Sequence, residues 1–330
     1  MAIFISRPIE SSFINDSRAE DEENCILSQY NLQCLSKLVI YDRLNSIPNY
    51  TQFFEYIKKI QCTDIGHVEN AQSRFSLTAL NKEKFILISF SKRGIPWSSF
   101  LYYLPLNLQT HYLLNAFENI LSRFLSIEDN LICFYKFSES NITFNDSYSP
   151  TLGHFEDAFV VDKTEDTSYI SKIITTEDGR DMPFELFMAL QSHKLSCKVS
   201  IEKYVHQCNF TKTLQREQID RLAQKLTRAY TALIPTDDNE KEYIINCFKG
   251  WKTWNLFFLS SFYIRIIHKF IQEHELVHPF WNEWVTLLER NMSPDISERC
   301  NIPEMLNHFH MLKMKVSQWK DVFSSHTSST

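Results

Sequence analysis

A five-residue stretch has the spacing of a catalytic zinc motif. His274, Glu275 and His278 stand as His-Glu-x-x-His, and on a helix this spacing places the two imidazoles one turn apart on the same face. The imidazoles can bind zinc, and the glutamate can act as a general base toward a zinc-bound water. One interpretation of the chain is therefore a zinc metallohydrolase.

The surroundings of this motif disfavour that interpretation. Pro279 directly follows His278, and a proline biases the residue before it away from helical geometry, which separates the two imidazoles. Glu289 and Glu298 can be proposed as a third ligand, but their spacing matches no particular zinc family. We therefore keep the zinc hydrolase as an alternative and expect no metal at His274 and His278.

The composition indicates a chain with a large core and an acidic charge balance. Of 330 residues, 44% are hydrophobic and 14% are aromatic, and the formal net charge is -6. Nucleic-acid phosphates are bound by clustered Lys and Arg, and the sequence has no such cluster, so we expect no nucleic-acid partner. Eight scattered cysteines without a CxxC pair fit a reducing compartment. We predict a cytoplasmic protein without a secretory signal or membrane partner.

The first hundred residues are predicted to form a small β-rich unit. The β-branched run at Leu38–Tyr41 predicts a strand, and Tyr50–Ile60 has the apolar spacing of a helix. Arg74–Leu80 and Phe85–Phe90 are predicted to form the two strands of a hairpin. The expected order is therefore strand, helix, strand, strand.

The remainder is predicted to be mainly helical. Tyr112–Leu125 has apolar residues at i, i+3, i+4 and i+7, which predicts a helix with one buried face. Trp254–Ile271 is the most apolar run, but its charged residues favour a buried helix over a membrane span. The loop-rich stretch Ser138–Asp181 interrupts the helices with two strand-like pieces, Asn141–Phe144 and Phe159–Val161.

Three short motifs follow one another in a recognisable order. Ile132–Phe144 ends in Asn-Ile-Thr-Phe, Pro150–Glu156 contains Leu-Gly-His-Phe, and Met182–Glu185 reads Met-Pro-Phe-Glu. In order and spacing they resemble the catalytic loop, the Asp-Phe-Gly motif and the Ala-Pro-Glu motif of protein kinases. The resemblance rests on the order of the motifs, since each is short.

Two later segments extend this resemblance to protein kinases. Trp254–Ser260 is similar to the start of the central helix of the kinase C-lobe, with Asn255 in place of the usual Asp. Asn291–Leu306 resembles the arginine-bearing segment near the kinase C-terminus, with Arg299 at the arginine. The Ser-x-x-Asn form of the catalytic loop and His-Pro-Phe-Trp before the last segment resemble kinase-like proteins of large DNA viruses. The resemblance covers roughly residues 70–315.

The resemblance implies structural roles for several residues. In the kinase family the arginine of the last segment pairs with the glutamate of Ala-Pro-Glu, which here implies a contact between Arg299 and Glu185. Asn255 and Phe155 stand at further structural positions of the family pattern.

The resemblance also implies that the reaction is lost. Phosphoryl transfer requires a Gly-rich loop, a strand lysine, a catalytic Asp and groups that hold Mg²⁺. No glycine precedes Gly66, Lys136 stands at the catalytic Asp, and His154 stands at the metal-binding Asp. A charged lysine cannot accept the substrate proton, and Mg²⁺ prefers oxygen ligands to imidazole.

Any nucleotide or metal binding would depend on three remaining residues. Lys37 and Glu55 are the best candidates for the strand lysine and the helix glutamate, and Asn141 for one metal ligand. ATP and Mg²⁺ are expected only under an alternative interpretation, a weakly active or nucleotide-binding Ser/Thr kinase. Otherwise we expect no cofactor.

The sequence thus predicts an α+β protein with a bilobal protein-kinase-like fold, a reduced β-rich N-lobe and a mainly helical C-lobe. The predicted parts are a loose arm at residues 1–24, the N-lobe at 25–96, the C-lobe at 97–323 and a disordered tail at 324–330. The expected function is that of a pseudokinase, a scaffold or allosteric regulator that binds other proteins, in the host cytoplasm if the protein is viral.

Overall fold

The computed structural model of the protein describes most of the chain, in nine ranges. They are residues 24–29, 32–63, 85–91, 94–101, 104–161, 181–190, 196–208, 216–235 and 239–322. Within them the protein has mixed α and β structure, mainly helical with small antiparallel sheets.

The secondary structure alternates between short strands and helices before it becomes helical. The strands are β1 (Asn24–Gln29), β2 (Ile57–Thr63), β3 (Phe85–Phe90), β4 (Ile95–Pro96), β5 (Ile132–Phe134), β6 (Ile142–Phe144), β7 (Pro150–Leu152) and β8 (Ala158–Val160). The α-helices are α1 (Leu32–Asn45), α2 (Tyr50–Phe53), α3 (Trp97–Leu101), α4 (Leu106–Asp129), α5 (Phe184–Ala189), α6 (Cys197–Gln207), α7 (Arg216–Leu233), α8 (Glu240–Phe248), α9 (Trp254–His274), α10 (Pro279–Asn291), α11 (Ile302–Met314) and α12 (Trp319–Val322).

The chain divides into two compact units. Unit 1 comprises the described residues of Met1–Phe100 and Ser140–Glu156, and unit 2 those of Leu101–Glu139 and Asp157–Thr330. The predicted strand at Arg74–Leu80, nearly all of the predicted N-terminal arm and the predicted C-terminal tail lie outside the described residues.

In unit 1, β1, β3 and β2 form an antiparallel sheet in that order. The strand predicted at Phe85–Phe90 is confirmed as β3, whose aromatic and β-branched residues favour a pleated, half-buried surface. Asn24 pairs with Phe90, and Gln29 pairs with Phe85. β3 therefore lies in the middle of the sheet, with a partner on each side.

The strand predicted at Leu38–Tyr41 is wrong, because these residues lie within α1. Ile40, Tyr41 and Leu44 are buried and recur at helical spacing, so a helix brings them to one face. Burial of that face overrides the strand preference of the β-branched residues. Lys37, predicted at the start of the strand, is consequently on a helix.

The helix predicted over Tyr50–Ile60 is wrong in its second half. α2 ends at Phe53, and Phe54 already has extended backbone, with φ -130° and ψ 146°. From Ile57 onward the chain pairs with β3 instead. The ladder satisfies the backbone groups of this segment in place of helical hydrogen bonds, so Glu55 lies between α2 and β2 and not on a helix.

A second antiparallel sheet of unit 1 joins β4, β6 and β7 in that order. β6 confirms the strand-like piece predicted at Asn141–Phe144. The buried ring of Phe144 lies 5.6 Å from that of Trp97 and 4.1 Å from that of Phe100, between centroids. Such aromatic pairs add to the stabilisation from burial, so these rings form the core beneath the sheet.

Unit 2 is organised around an aromatic cluster on α4. The helix predicted at Tyr112–Leu125 is confirmed and is longer, spanning Leu106–Asp129. The ring of Phe117 contacts Tyr263, Trp284 and Phe309, with centroids 4.7, 5.4 and 4.7 Å away. Because these residues come from α9, α10 and α11, the cluster joins four helices in one core.

The helix predicted at Trp254–Ile271 is confirmed as α9. All residues from Trp254 to Tyr263 are buried, as its apolar composition predicts. In the same unit β5 pairs with β8, which overlaps the strand-like piece predicted at Phe159–Val161. Throughout the described ranges, every helix is too short or too polar to cross a membrane.

We expect Gly94→Ala to destabilise unit 1. A Cβ atom at Gly94 would lie 2.1 Å from the carbonyl oxygen of Phe144, so β4 and β6 would have to separate. The expected loss is about 1–3 kcal/mol in free energy of unfolding, measured by urea denaturation. Ser99→Ala, at an exposed position on α3, is the control, and equal stability of the two variants would contradict this account.

Candidate functional site

Phe155 lies at the centre of unit 1. It stands on a short 3₁₀ turn, Phe155–Asp157, and is fully buried. Its ring packs edge-on against Tyr41 and Phe54, with centroid distances of 5.8 and 6.0 Å. Phe155 is therefore a core residue of unit 1.

Glu55 is a buried carboxylate that accepts hydrogen bonds from other residues of unit 1. It is 6% exposed, and its Oε2 accepts hydrogen bonds from the main-chain N–H of His154 at 3.2 Å and from the Tyr41 hydroxyl at 3.5 Å. Its main-chain N–H donates to the carbonyl of Leu152 at 2.7 Å. The assignment of Glu55 as a helix glutamate is therefore wrong, and its carboxylate holds the main chain near His154.

The side chain of His154 is paired with a carboxylate two residues away. Its Nδ1 lies 2.8 Å from Oε1 of Glu156, and the two side chains are 21% and 25% exposed. Burial opposes the charge on Glu156, but the His154 hydrogen bond and the charges of His154 and Lys37 lower the pKa of Glu156 below its ordinary value. At neutral pH, Glu156 is consequently a carboxylate in contact with His154.

Asn141 is fully buried in unit 1. Its Nδ2 donates to the carbonyls of Gly153 and His154, at 3.3 and 3.1 Å, and its own carbonyl accepts from the N–H of Gly153 at 3.0 Å. These hydrogen bonds tie Asn141 to the segment that follows β7. Asn141, predicted as a metal ligand, thus stabilises the main chain at Gly153 and His154.

Lys136, which the sequence resemblance predicts at the catalytic Asp of kinases, belongs to unit 2. Its Nζ lies 3.9 Å from Oδ2 of Asp157, and the side chains are 36% and 20% exposed. The N–H of Tyr135 donates to the Asp157 carbonyl at 2.9 Å. No sequence pattern singles out Asp157, because the contact joins a loop to a 3₁₀ turn twenty-one residues further along the chain.

The structure brings together Glu185 and Arg299 in the interior of unit 2. Their side chains are 2% and 0% exposed, and both guanidinium Nη atoms donate to the carboxylate, Nη2 to Oε2 at 2.9 Å. The indole N–H of Trp254 donates to the same carboxylate at 2.8 Å, and Arg299 Nε donates to the Ser293 carbonyl at 2.6 Å. The pair is therefore hydrogen-bonded on both sides, as a buried ion pair requires.

Asn255 links α9 to the end of α4 and to β5. Its Oδ1 accepts the N–H of Phe134 at 2.9 Å, and its Nδ2 lies 3.4 Å from Oε1 of Glu128 and from the Ile132 carbonyl. Burial raises the pKa of Glu128 to about 8, although the Asn255 hydrogen bond and the charge of Lys252 act in the opposite direction. The carboxyl group of Glu128 is thus mainly protonated at neutral pH.

The residues of the His-Glu-x-x-His stretch do not share a helix. α9 ends at His274, Glu275 has left-handed backbone with φ 51°, and His278 is the N-cap of α10, where its Nδ1 accepts the N–H of Phe280 at 3.2 Å. The common helical face that a zinc site of this type needs is therefore lost. Across the described ranges, no three His, Cys, Asp or Glu side chains lie close enough to hold a metal ion.

Sequence reasoning missed the residues that support these positions. Tyr41 carries no motif, yet it contacts both Glu55 and Phe155. Gly250 also has no motif, but a Cβ atom there would lie 2.9 Å from Oε1 of Glu185. Only the position of Gly250 just before the Trp254 motif, in a chain with five glycines, was a usable signal.

The sequence was also compared with known proteins. No model of a protein family matches the chain, and the search among curated proteins found no match.

We expect Arg299→Ala to lower the stability of unit 2 strongly. The substitution leaves the Glu185 carboxylate buried without its countercharge, and breaking a buried pair in this way costs about 3–5 kcal/mol. Chemical denaturation followed by tryptophan fluorescence measures the loss. Arg228→Ala, at an exposed position on α7, is the matched control and should change stability by less than about 0.5 kcal/mol. A denaturation curve of Arg299→Ala that matches that of the control would contradict the role of the pair.

We expect the stability of the protein to fall with pH because of Glu128. The pKa of Glu128 in the folded state, about 8, lies above its ordinary value of 4.5. At pH values between these two, the folded state keeps a proton that the unfolded state has lost. Stability therefore decreases as pH rises through this window, by up to about 1.4 kcal/mol per pH unit. Below pH 4.5 the stabilisation from protonated Glu128 is fully present and does not change with pH. Above about pH 8 this stabilisation is lost.

Glu128→Gln removes this titration and keeps an amide that can bond to Asn255. We expect the variant to match the unmodified protein near the acidic end of the window and to be more stable above its alkaline end. Denaturation at a series of pH values measures the difference, with Glu217→Gln on the exposed face of α7 as the control. A stability difference that is constant with pH would contradict the assignment.

Proposed function

We propose that the protein is a pseudokinase, a catalytically inactive protein-kinase-like module that acts by binding other proteins. The proposal joins the order of the sequence motifs with the contacts that their residues make. It includes a bilobal kinase-like fold, with a reduced β-rich lobe and a mainly helical lobe.

The observation that carries the proposal is the state of His154. In an active kinase an aspartate at this position holds Mg²⁺ with its carboxylate. Here the side chain is an imidazole bonded to Glu156, and its main-chain N–H is bonded to Glu55. The position therefore serves the packing of unit 1 and offers no carboxylate to a metal ion.

The other catalytic positions support the same interpretation. Lys136 stands where the general base is needed and lies beside Asp157, and a lysine ammonium cannot take the proton of a substrate hydroxyl. Lys37 is on α1 and contributes charge near Glu156. Glu55 and Asn141, the remaining candidates for ATP and Mg²⁺, hold the main chain at Gly153 and His154.

The structural positions of the kinase pattern support the proposed fold. Glu185 and Arg299 form a buried ion pair, Asn255 joins α9 to β5, and Phe155 is buried between two aromatic rings. A chain that retains a kinase-like fold but has lost the reaction is expected to retain these contacts. A fold without its chemistry acts through its surface, which is why other proteins are the proposed partners.

A thermal-shift measurement with ATP, in the presence and absence of Mg²⁺, tests the proposal. A ligand that binds the folded state raises the melting temperature, and a concentration one hundred times the dissociation constant adds about 2.7 kcal/mol of stability. We expect no change at millimolar ATP in either condition. A protein that binds ATP with millimolar affinity is measured in parallel to establish that the assay detects weak binding.

A phosphate-transfer assay with a generic Ser/Thr substrate completes the test. We expect no transfer above the background of the buffer. A melting temperature that rises with ATP only when Mg²⁺ is present, together with phosphate transfer, would favour the weakly active kinase and overturn the proposal.

A further inference from the structure

Cys197 is the first residue of helix α6, and its side chain is partly exposed. The other cysteines whose burial the structure describes are buried, namely Cys133, Cys208, Cys247 and Cys300. Ser196 caps the helix by accepting the N–H of Val199 at 3.4 Å, and the first turn has no acidic residue. Because the positive end of a helix stabilises a negative charge beside it, Cys197 lies where an anion is favoured.

Ser200, one turn further along α6, has a buried hydroxyl that is not hydrogen-bonded. The residue is fully buried, and its Oγ has no hydrogen-bond partner among the described residues. A buried polar atom without a partner loses its hydration and gains nothing in return, so folded proteins contain few of them. The hydroxyl of Ser200 therefore lacks an acceptor while Cys197 is a thiol.

The side chains of Cys197 and Ser200 are neighbours on one face of α6. Residues three positions apart on a helix have Cβ atoms roughly 5–6 Å from each other. Helical side chains also point toward the N-terminus, so the Ser200 hydroxyl is directed at the turn that begins with Cys197. Sulfur is a weak hydrogen-bond acceptor, and the thiol therefore leaves this hydroxyl unsatisfied.

Helix α7 contributes Tyr230 to the surroundings of Cys197. The two helices α6 and α7 pack against each other. Burial raises the pKa of the Tyr230 phenol, and the negative charge of a Cys197 thiolate raises it further. At neutral pH Tyr230 is consequently an uncharged neighbour of Cys197, and it does not repel an anion there.

We propose that Cys197 is a site of reversible oxidation by peroxides, and that Ser200 and the N-terminus of α6 stabilise the sulfenic acid formed there. The thiolate sulfur attacks one oxygen of the peroxide, so an S–O bond forms, the O–O bond breaks and hydroxide leaves. The sulfur is oxidised and the peroxide is reduced by the same electron pair. The new oxygen accepts the hydrogen bond of the Ser200 hydroxyl. This site is independent of the proposed pseudokinase function.

Small thiols reverse the oxidation. One thiol attacks the sulfenic sulfur and water leaves, and a second thiol then releases Cys197 as a thiol and forms a disulfide with the first. Such thiols are abundant in a reducing compartment, which is the surrounding that the cysteine pattern of the sequence predicts. The oxidised form of Cys197 is therefore transient wherever reductant is present.

Chemical labelling of the full-length protein tests whether Cys197 forms a sulfenic acid. The protein is treated with a small excess of hydrogen peroxide, sulfenic acids are trapped with dimedone, and the label on each cysteine peptide is quantified by mass spectrometry. We expect roughly tenfold more label at Cys197 than at the buried Cys208 and Cys247, because oxidation requires access of the peroxide to the sulfur. Dithiothreitol added before dimedone should remove the label.

A double-mutant cycle tests whether Ser200 stabilises an oxygen at position 197. Cys197→Asp places acceptor oxygens beyond the Cβ atom, and urea denaturation gives its unfolding equilibrium constant with Ser200 present and in the Ser200→Ala background. The effect of the α6 N-terminus on the charge is common to both backgrounds and cancels. We expect Cys197→Asp to lower the unfolding constant at least roughly fivefold more when Ser200 is present, because one hydrogen bond is gained. Cys197→Ala adds no acceptor and is the matched control, with equal effects in both backgrounds.

Two results would overturn the proposal. Label at Cys197 that is no higher than at Cys208 and Cys247 would show that this thiol is not a site of oxidation. An effect of Cys197→Asp that is the same with and without the Ser200 hydroxyl would show that Ser200 does not bind an oxygen at this position. Cys197 would then be an ordinary, partly exposed thiol.

Discussion

The interior of unit 2 depends on an ion pair that is closed off from water. Glu185 and Arg299 come from opposite ends of the helical part of the chain, and either charge alone in this position would cost several kcal/mol. Their remaining hydrogen bonds go to Trp254, Ser293 and Thr253. The start of α5, the start of α9 and the turn before α11 must therefore meet at one point, and Gly250 leaves room for them because it has no side chain.

In unit 1 a buried carboxylate is likewise satisfied by hydrogen bonds, but it has a different structural role. Glu55 is also a buried carboxylate, and among the described residues it accepts hydrogen bonds from a main-chain N–H and a tyrosine hydroxyl. Its acceptor capacity is thus used to shape the chain around His154, next to the aromatic contacts of Phe155. In a kinase the corresponding groups are needed for phosphates and metal. The proposed pseudokinase function follows from this change of use, since groups committed to the fold are not available for the reaction.

Apolar periodicity identified the long helices but did not decide every short segment. α4 and α9 are long enough for apolar periodicity to identify them, because a helix of many turns must bury one face. The short segments at Leu38–Tyr41 and Tyr50–Ile60 fit both a helix and a strand, and only their neighbours decided between the two. The contact between His154 and Glu55 was likewise out of reach, since the two residues are ninety-nine positions apart and no pattern links them.

Residue types and local spacing were enough to predict the mixed α and β composition and the long buried helices, and they show that positions 136 and 154 are not acidic. The sequence also named Glu185 and Arg299 as partners through the kinase resemblance. Contacts in the folded protein were needed to see that Leu38–Tyr41 is helical, that Glu55 accepts a main-chain N–H, and that the His274 stretch is divided between two helices. Burial and hydrogen bonding are satisfied over the whole fold. The conformation that a short segment prefers by itself therefore changes wherever contacts with distant residues stabilise another one.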